Sequence, residues 1–226
     1  MVFGAIADIH GNFEAMHRAM ERHPDVPFWI CVGDVASRAG AYPEPSKPLY
    51  WIKGNNENFD RIADFEAGKS LVPNLLFIPN GTVVTAGPIR VAGLGGTFAP
   101  TWFDTPVAQL PHRTIDDKRR HFVREEAEAC KRLRNIDILM THEAPRPFII
   151  VDDPTPGMPR PRRRDAGKPA INDVLATVKP RLHLCGHHHR FIETEREGVR
   201  SVCIDRVNRS YLLIDANTLE YEKIDQ

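Results

Sequence analysis

Five strand-sized apolar runs in this sequence each stop abruptly at a polar residue able to bind a cation. Residues 2–7 lead into Asp8-Ile9-His10, 28–32 into Gly33-Asp34, and 49–52 into Gly54-Asn55. Residues 136–140 lead into Thr141-His142, and 182–185 into Gly186-His187-His188-His189. Such runs, ending in glycine plus a polar residue, read as the C-terminal edge of a buried sheet. In open α/β sheets that edge is where ligands sit. Apolar spacing at Phe13, Met16, Ala19 and Met20, and again over 59–67, places helices after the first and third runs. Strand, loop, helix in that order predicts an α/β fold.

The middle of the chain changes character. Residues 75–77, 82–85 and 89–92 are short β-rich runs separated by Asn80-Gly81 and Gly87-Pro88, which predicts a hairpin. Residues 114–134 read as one amphipathic helix, with Thr114 and Asp117 at capping spacing and Phe122, Ala129, Cys130 and Leu133 as its stripe. Residues 145–169 form a long proline-rich basic loop, followed by a short helix over 170–178. The tail, in four runs over 191–224, reads as short strands.

Composition narrows the classes. Thirty Lys+Arg balance thirty Asp+Glu, which argues against a dedicated nucleic-acid binder. No apolar run approaches the ~20 residues of a membrane helix, and no leader precedes the first strand. The expectation is a single domain over 1–226, cytoplasmic, with no membrane and no obligate protein partner. Cys31, Cys130, Cys185 and Cys203 form no CxxC pair, and Cys31 and Cys185 sit inside apolar runs. They read as free buried thiols rather than a zinc site.

The strand-end residues offer four imidazoles, two carboxylates and one amide oxygen, without sulfur. That set suits Mn, Fe, Co, Ni or Zn rather than Ca or Mg. Seven ligands are too many for one open catalytic ion and fit two ions sharing a carboxylate. The i, i+2 spacing of Asp8/His10 and of His187/His189 predicts that each pair points to one side of an extended segment.

In this order the motifs resemble those of the calcineurin-like metallophosphoesterase superfamily: Asp-x-His, Gly-Asp, Gly-Asn-His-Asp/Glu, His and Gly-His-x-His. Here they read Asp8-Ile9-His10, Gly33-Asp34, Gly54-Asn55-Asn56-Glu57, His142 and Gly186-His187-His188-His189. The resemblance implies two face-to-face β-sheets flanked by helices, the metallophosphoesterase fold. It also implies that Asp8, His10 and His189 hold one metal, that Asp34 bridges, and that Asn55, His142 and His187 complete the second. The cofactor would be two divalent transition-metal ions, with Mn, Fe or Zn foremost. From Asn74 to His189 the chain is similar to the lariat-debranching branch. The similarity lies in 73–77, 87–96, Thr141-His142-Glu143-Ala144-Pro145-Arg146, Gly167-Lys168-Pro169-Ala170 and Val178-Lys179-Pro180.

The chain departs from the motif at Asn56, where the superfamily has a His near the leaving group. An amide donates a hydrogen bond but delivers no proton, so slower turnover of poor leaving groups is expected. His188 and His121 are the two imidazoles that could take over that role. Strand alternation points His188 away from the metals, and the helix reading puts His121 on a helix face one turn from Arg124. Arg38, at the spacing of a phosphate-binding Arg in the protein-phosphatase branch, and Arg190 are substrate-binding candidates. The Arg160–Arg164 cluster is a candidate guide for a polyanion. The leading expectation is hydrolysis of a nucleotide- or RNA-derived phosphodiester by a hydroxide shared between two metals, with Asn56 and His188 as the catalytic side chains. The alternatives are a phosphomonoesterase acting on a small phospho-metabolite and a non-catalytic scaffold of the same fold.

Overall fold

The computed structural model describes residues 1–69, 72–112, 116–151 and 163–226. Two six-stranded sheets carry the fold. The first is built from β1 (Val2–Ile6), β2 (Trp29–Cys31), β3 (Leu49–Trp51) and β4 (Leu75–Phe77). These four run parallel. The second holds the predicted hairpin of β5 (Val83–Ala86) and β6 (Ile89–Leu94). Two two-residue strands, β7 (Thr97–Phe98) and β8 (His121–Phe122), pair beside it. Next come β9 (Ile138–Thr141), which joins the second sheet, and a small ribbon of β10 (Ile149–Val151) and β11 (Arg163–Asp165). The second sheet is completed by β12 (Leu182–Cys185), β13 (Ile192–Arg196) and β14 (Val199–Cys203). The last two strands, β15 (Ser210–Asp215) and β16 (Tyr221–Asp225), return to the first sheet. The orders are β16-β15-β1-β2-β3-β4 and β13-β14-β12-β9-β6-β5.

Period-two alternation assigns each strand two faces. Phe3 and Ala5 of β1, Ile30 of β2, Ile138 and Met140 of β9, and Leu182 and Leu184 of β12 meet in one core between the sheets. Residues of opposite parity face outward. Ile6, Trp29, Cys31, Leu49 and Trp51 pack under α1 (Phe13–Arg22) and α2 (Phe59–Glu66). Leu94 and Leu139 pack under α3 (Arg124–Lys131) and α4 (Pro169–Val178). The result is the expected four-layer arrangement, helices outside and sheets face to face. All four cysteines are free and buried. Among the described residues no helix is long and apolar enough to cross a membrane.

The single helix expected over 114–134 is not what forms. Thr114 lies outside the described residues; from there on, the segment makes a 3-10 turn at Lys118–Arg120, then β8, then α3. Asp117 caps the 3-10 turn through the Arg119 N–H (3.0 Å), and Glu126 accepts from Val123 N (2.8 Å) to start α3. Phe122 is held extended because its ring closes an aromatic cluster with Phe98 (5.9 Å) and Phe103 (6.1 Å). Tertiary burial of that ring overrides the helical period. His121 is therefore a strand residue whose Nδ1 lies 2.9 Å from Thr97 Oγ1, not a helix-face residue.

His183 on β12 is fully buried, with its ring nitrogens against Thr141 Oγ1 (2.8 Å) and Ser201 Oγ (2.9 Å). Burial pushes its pKa down to about 3. The folded chain keeps it neutral while the unfolded chain protonates it below its ordinary value. Its contribution is therefore present above that value and lost as pH falls toward 3, at up to ~1.4 kcal/mol per pH unit. Denaturant titrations at pH 7 and pH 4.5 should show the acid loss of stability shrinking by ~2 kcal/mol in His183→Gln; an unchanged loss would show that His183 does not carry it.

Candidate metal centre

The loops after β1, β2, β3, β9 and β12 converge on one edge of the paired sheets. Backbone hydrogen bonds from Asp8 N to Gly33 O (3.1 Å), His10 N to Asp34 O (2.8 Å) and Gly186 N to His142 O (3.1 Å) tie neighbouring loops together. His187 N donates to Asp8 Oδ2 (2.9 Å), linking the two sheets at the centre.

Asp8, His10, Asp34, His187 and His189 all have positive φ, between 47° and 67°. Left-handed backbone is uncommon for residues with a Cβ and gathers where surroundings hold it for function. It also corrects the extended-segment expectation for the His187/His189 pair. The two rings part company, each joining a different group of ligand-type atoms lying within 4.8 Å of one another. The groups are Asp8, His10 and His189, and Asp34, His142 and His187.

The two groups meet at Asp34. Its Oδ2 lies 3.4 Å from His10 Nε2 and 3.5 Å from His142 Nε2. Asn55 Oδ1 is 3.0 Å from His142 Nε2, so the amide belongs to the second group. His142 is completely buried, and its Nδ1 sits 2.9 Å from Val32 O. That contact fixes Nε2 as the nitrogen facing the centre. The approach depends on glycine: a Cβ on Gly54 would lie 2.0 Å from Asp34 Oδ1, and one on Gly33 would lie 2.7 Å from His142 Nδ1.

The electrostatics fit cation binding. Burial opposes ionisation of Asp34, but the His142 charge and hydrogen bonds from His142 and Asn56 hold its pKa below the usual carboxylate range. Burial likewise disfavours charged His142, yet the Asp34 carboxylate raises its pKa to about 10, so without a metal a proton on His142 balances Asp34 where a cation would displace it. Burial, then the His142 charge, pushes His187 down to about 3 and leaves it a neutral donor. Asp8 Oδ1 is buried with no hydrogen-bond partner among the described residues. A buried carboxylate oxygen left unmatched is costly, and a cation beside it removes that cost. The residues present therefore fit a pair of divalent ions.

The other candidates from sequence fall around this centre. Asn56 donates to Asp34 twice, from its backbone N (2.7 Å, to Oδ1) and from Nδ2 (2.9 Å, to Oδ2). Arg38 is exposed and lines a cavity of about 600 Å³ together with Asn55, Asn56, Arg119 and Arg120. His188 and Arg190 belong to neither group; they line a separate cavity of about 400 Å³ beside His187. Arg160 and Arg162 lie outside the described residues; Arg163 and Arg164 are exposed on β11.

Three supporting residues were not singled out from sequence. Glu143 is buried; it accepts from Phe98 N and lies 3.3 Å from Lys168 Nζ and 3.9 Å from His187 Nε2. Glu57 accepts from Val35 N (3.0 Å), Ala36 N (3.1 Å) and Gly54 N (3.2 Å), holding the loops after β2 and β3 in register. Burial, then the Asp34 charge, raises its pKa to about 7. Arg206 places a positive charge near His10. Glu57 and Glu143 stand directly beside motif residues, which is the signal that could have flagged them; Arg206 has no such marker.

The calcineurin-like phosphoesterase family model matches residues 1–191. The chain belongs to the calcineurin-like phosphoesterase family, whose members hydrolyse phosphoester bonds with divalent metal ions. It is 23% identical over 193 residues to a lariat debranching enzyme of Schizosaccharomyces pombe, covering 80% of this chain and 42% of that protein. The chain thus spans less than half the length of this relative. Its fold is similar to TT1561 of Thermus thermophilus (TM-score 0.65, 14% identity, 99% and 98% of the two chains). It is also similar to a novel archaeal phosphodiesterase (TM-score 0.54, 13% identity, 100% of both chains).

Proposed function

We propose that this protein is a metal-dependent phosphodiesterase acting on a nucleotide- or nucleic-acid-derived substrate. The observation that carries the reading is the meeting of two His/Asp groups at the single carboxylate of Asp34. In this reading Asp8, His10 and His189 hold one divalent cation, Asn55, His142 and His187 hold the second, and Asp34 serves both. Such a pair, when bound, supplies Lewis acidity at the phosphoryl oxygens and an ionised water at neutral pH.

The chain's own residues do the rest. Asp34 is kept ionised chiefly by His142 and is held in place by the two Asn56 N–H donors. His142 is locked by Val32 O, so its donor nitrogen needs no reorientation. Arg38 lies on the wall of the larger cavity, where a guanidinium can meet phosphoryl oxygens bidentately. Two cavities border the centre and share no lining residue, which supports a substrate carrying an ester group on each side of phosphorus. The similarity to a lariat debranching enzyme supports the same substrate class.

Purified protein with Mn²⁺ should hydrolyse bis-aryl phosphate, and more slowly an alkyl-leaving diester, with the corresponding monoester the poorer substrate. No metal-dependent turnover of any diester would contradict the reading; preference for the monoester would replace it with a phosphomonoesterase.

A further inference from the structure

We propose that the cavity beside His187 is a subsite for a second phosphate group of the same substrate, an inference that rests on the phosphodiesterase reading above. The cavity, about 400 Å³, is lined by Arg164, Lys168, Arg190 and His188, with Asp165 the one acidic lining residue among the described residues. His187 forms its inner edge and belongs to the second His/Asp group, so a molecule bound at the centre continues directly into it.

The charge balance favours an anion. The Asp165 carboxylate is already committed, accepting from Arg146 Nε (2.7 Å), Phe148 N (2.8 Å) and Gly167 N (3.0 Å). Glu143 behind the wall offsets part of the Lys168 charge at 3.3 Å. Arg190 makes no ion pair among the described residues. Lys168 and Arg190 thus bring positive charge to a cavity whose one acidic group among the described lining residues is already hydrogen-bonded.

His188 adds a directional group. Its ring stacks on Phe148 (centroids 4.6 Å apart, planes at 27°), which fixes its orientation. Its Nε2 is buried with no hydrogen-bond partner among the described residues. With its proton on Nε2 the ring is a donor there, and a phosphate oxygen that meets it would satisfy it. The apolar lining residues, Ile150 and Ala166, are themselves almost fully buried, so the wall offers little to a base or sugar. Phosphate oxygens match it best.

Two sources share this chemistry, a terminal phosphomonoester and the next phosphodiester of a chain. The direct probe is calorimetric binding of a nucleoside 3′,5′-bisphosphate against the 5′-monophosphate to the Mn²⁺-loaded protein. The bisphosphate is expected to bind about 10-fold tighter or better. Arg190→Glu should reduce that advantage to less than about twofold and Arg190→Lys should retain part of it. The same reversal at Arg209, which does not line the cavity, should leave it intact. Steady-state KM for a 5′-phosphorylated dinucleotide against an unphosphorylated trinucleotide then separates a terminal from an internal phosphate. Equal affinity for the two nucleotides, or an advantage that survives Arg190→Glu, would overturn the subsite. An Arg190-dependent advantage without turnover of any diester would leave the subsite standing and remove the phosphodiesterase reading instead.

Discussion

Asp34→Asn is expected to lower kcat/KM for a bis-aryl phosphodiester by on the order of 10²–10⁴-fold and to reduce the metal retained per chain. Among the described residues Asp34 is the one carboxylate within 3.5 Å of imidazoles from both groups. Neutralising it weakens cation binding on both sides, and cations there contribute several kcal/mol of transition-state stabilisation. The amide is nearly isosteric, so the backbone bond from Asn56 N has an oxygen to reach. The Asn56 Nδ2 donor would face either that oxygen or a second NH₂. His142, completely buried, loses the carboxylate that raises its pKa. The variant should therefore remain folded by circular dichroism while losing metal and rate together. Wild-type rate with full metal content would show that Asp34 is not shared.

Asn56→His is expected to act on one class of substrate far more than another. Asn56 touches Asp34 but offers no proton that an alkoxide could take. An imidazole there supplies a titratable donor beside the larger cavity. General acid assistance is worth ~10²–10⁴-fold where the leaving group needs it. Turnover of alkyl-leaving diesters should rise by on the order of 10²-fold, and that of bis-aryl diesters by less than about tenfold. The plot of log rate against leaving-group pKa should flatten accordingly. A uniform change across leaving groups would show that proton delivery does not limit this enzyme.

Much of the framework was legible because it rests on two local signals. Strand-sized apolar runs that end at polar residues marked β1, β2, β3, β9 and β12. The donor types at their ends named the residues that gather, since parallel strands of one sheet must end on the same edge. What sequence could not show depends on tertiary geometry. The split of His187 and His189 between two groups followed from the family resemblance, but the positive φ at both, which replaces the extended segment expected there, did not. Phe122 reads as part of a helical stripe, but its burial with Phe98 and Phe103 holds it in a strand. Arg164 and Arg190 were candidates from sequence, but that they line one cavity with Lys168 beside His187 emerges only from the fold. Gly54 reads as a turn residue, and only the 2.0 Å approach of Asp34 shows why nothing larger stands there.

Metal analysis of the wild-type protein, purified and then equilibrated with Mn²⁺ before removal of free ion, tests the paired centre most directly. The expected result is about two ions per chain, falling in Asp34→Asn. A chain that binds none, or that saturates at one and hydrolyses diesters at full rate, would contradict a centre built from two groups sharing Asp34.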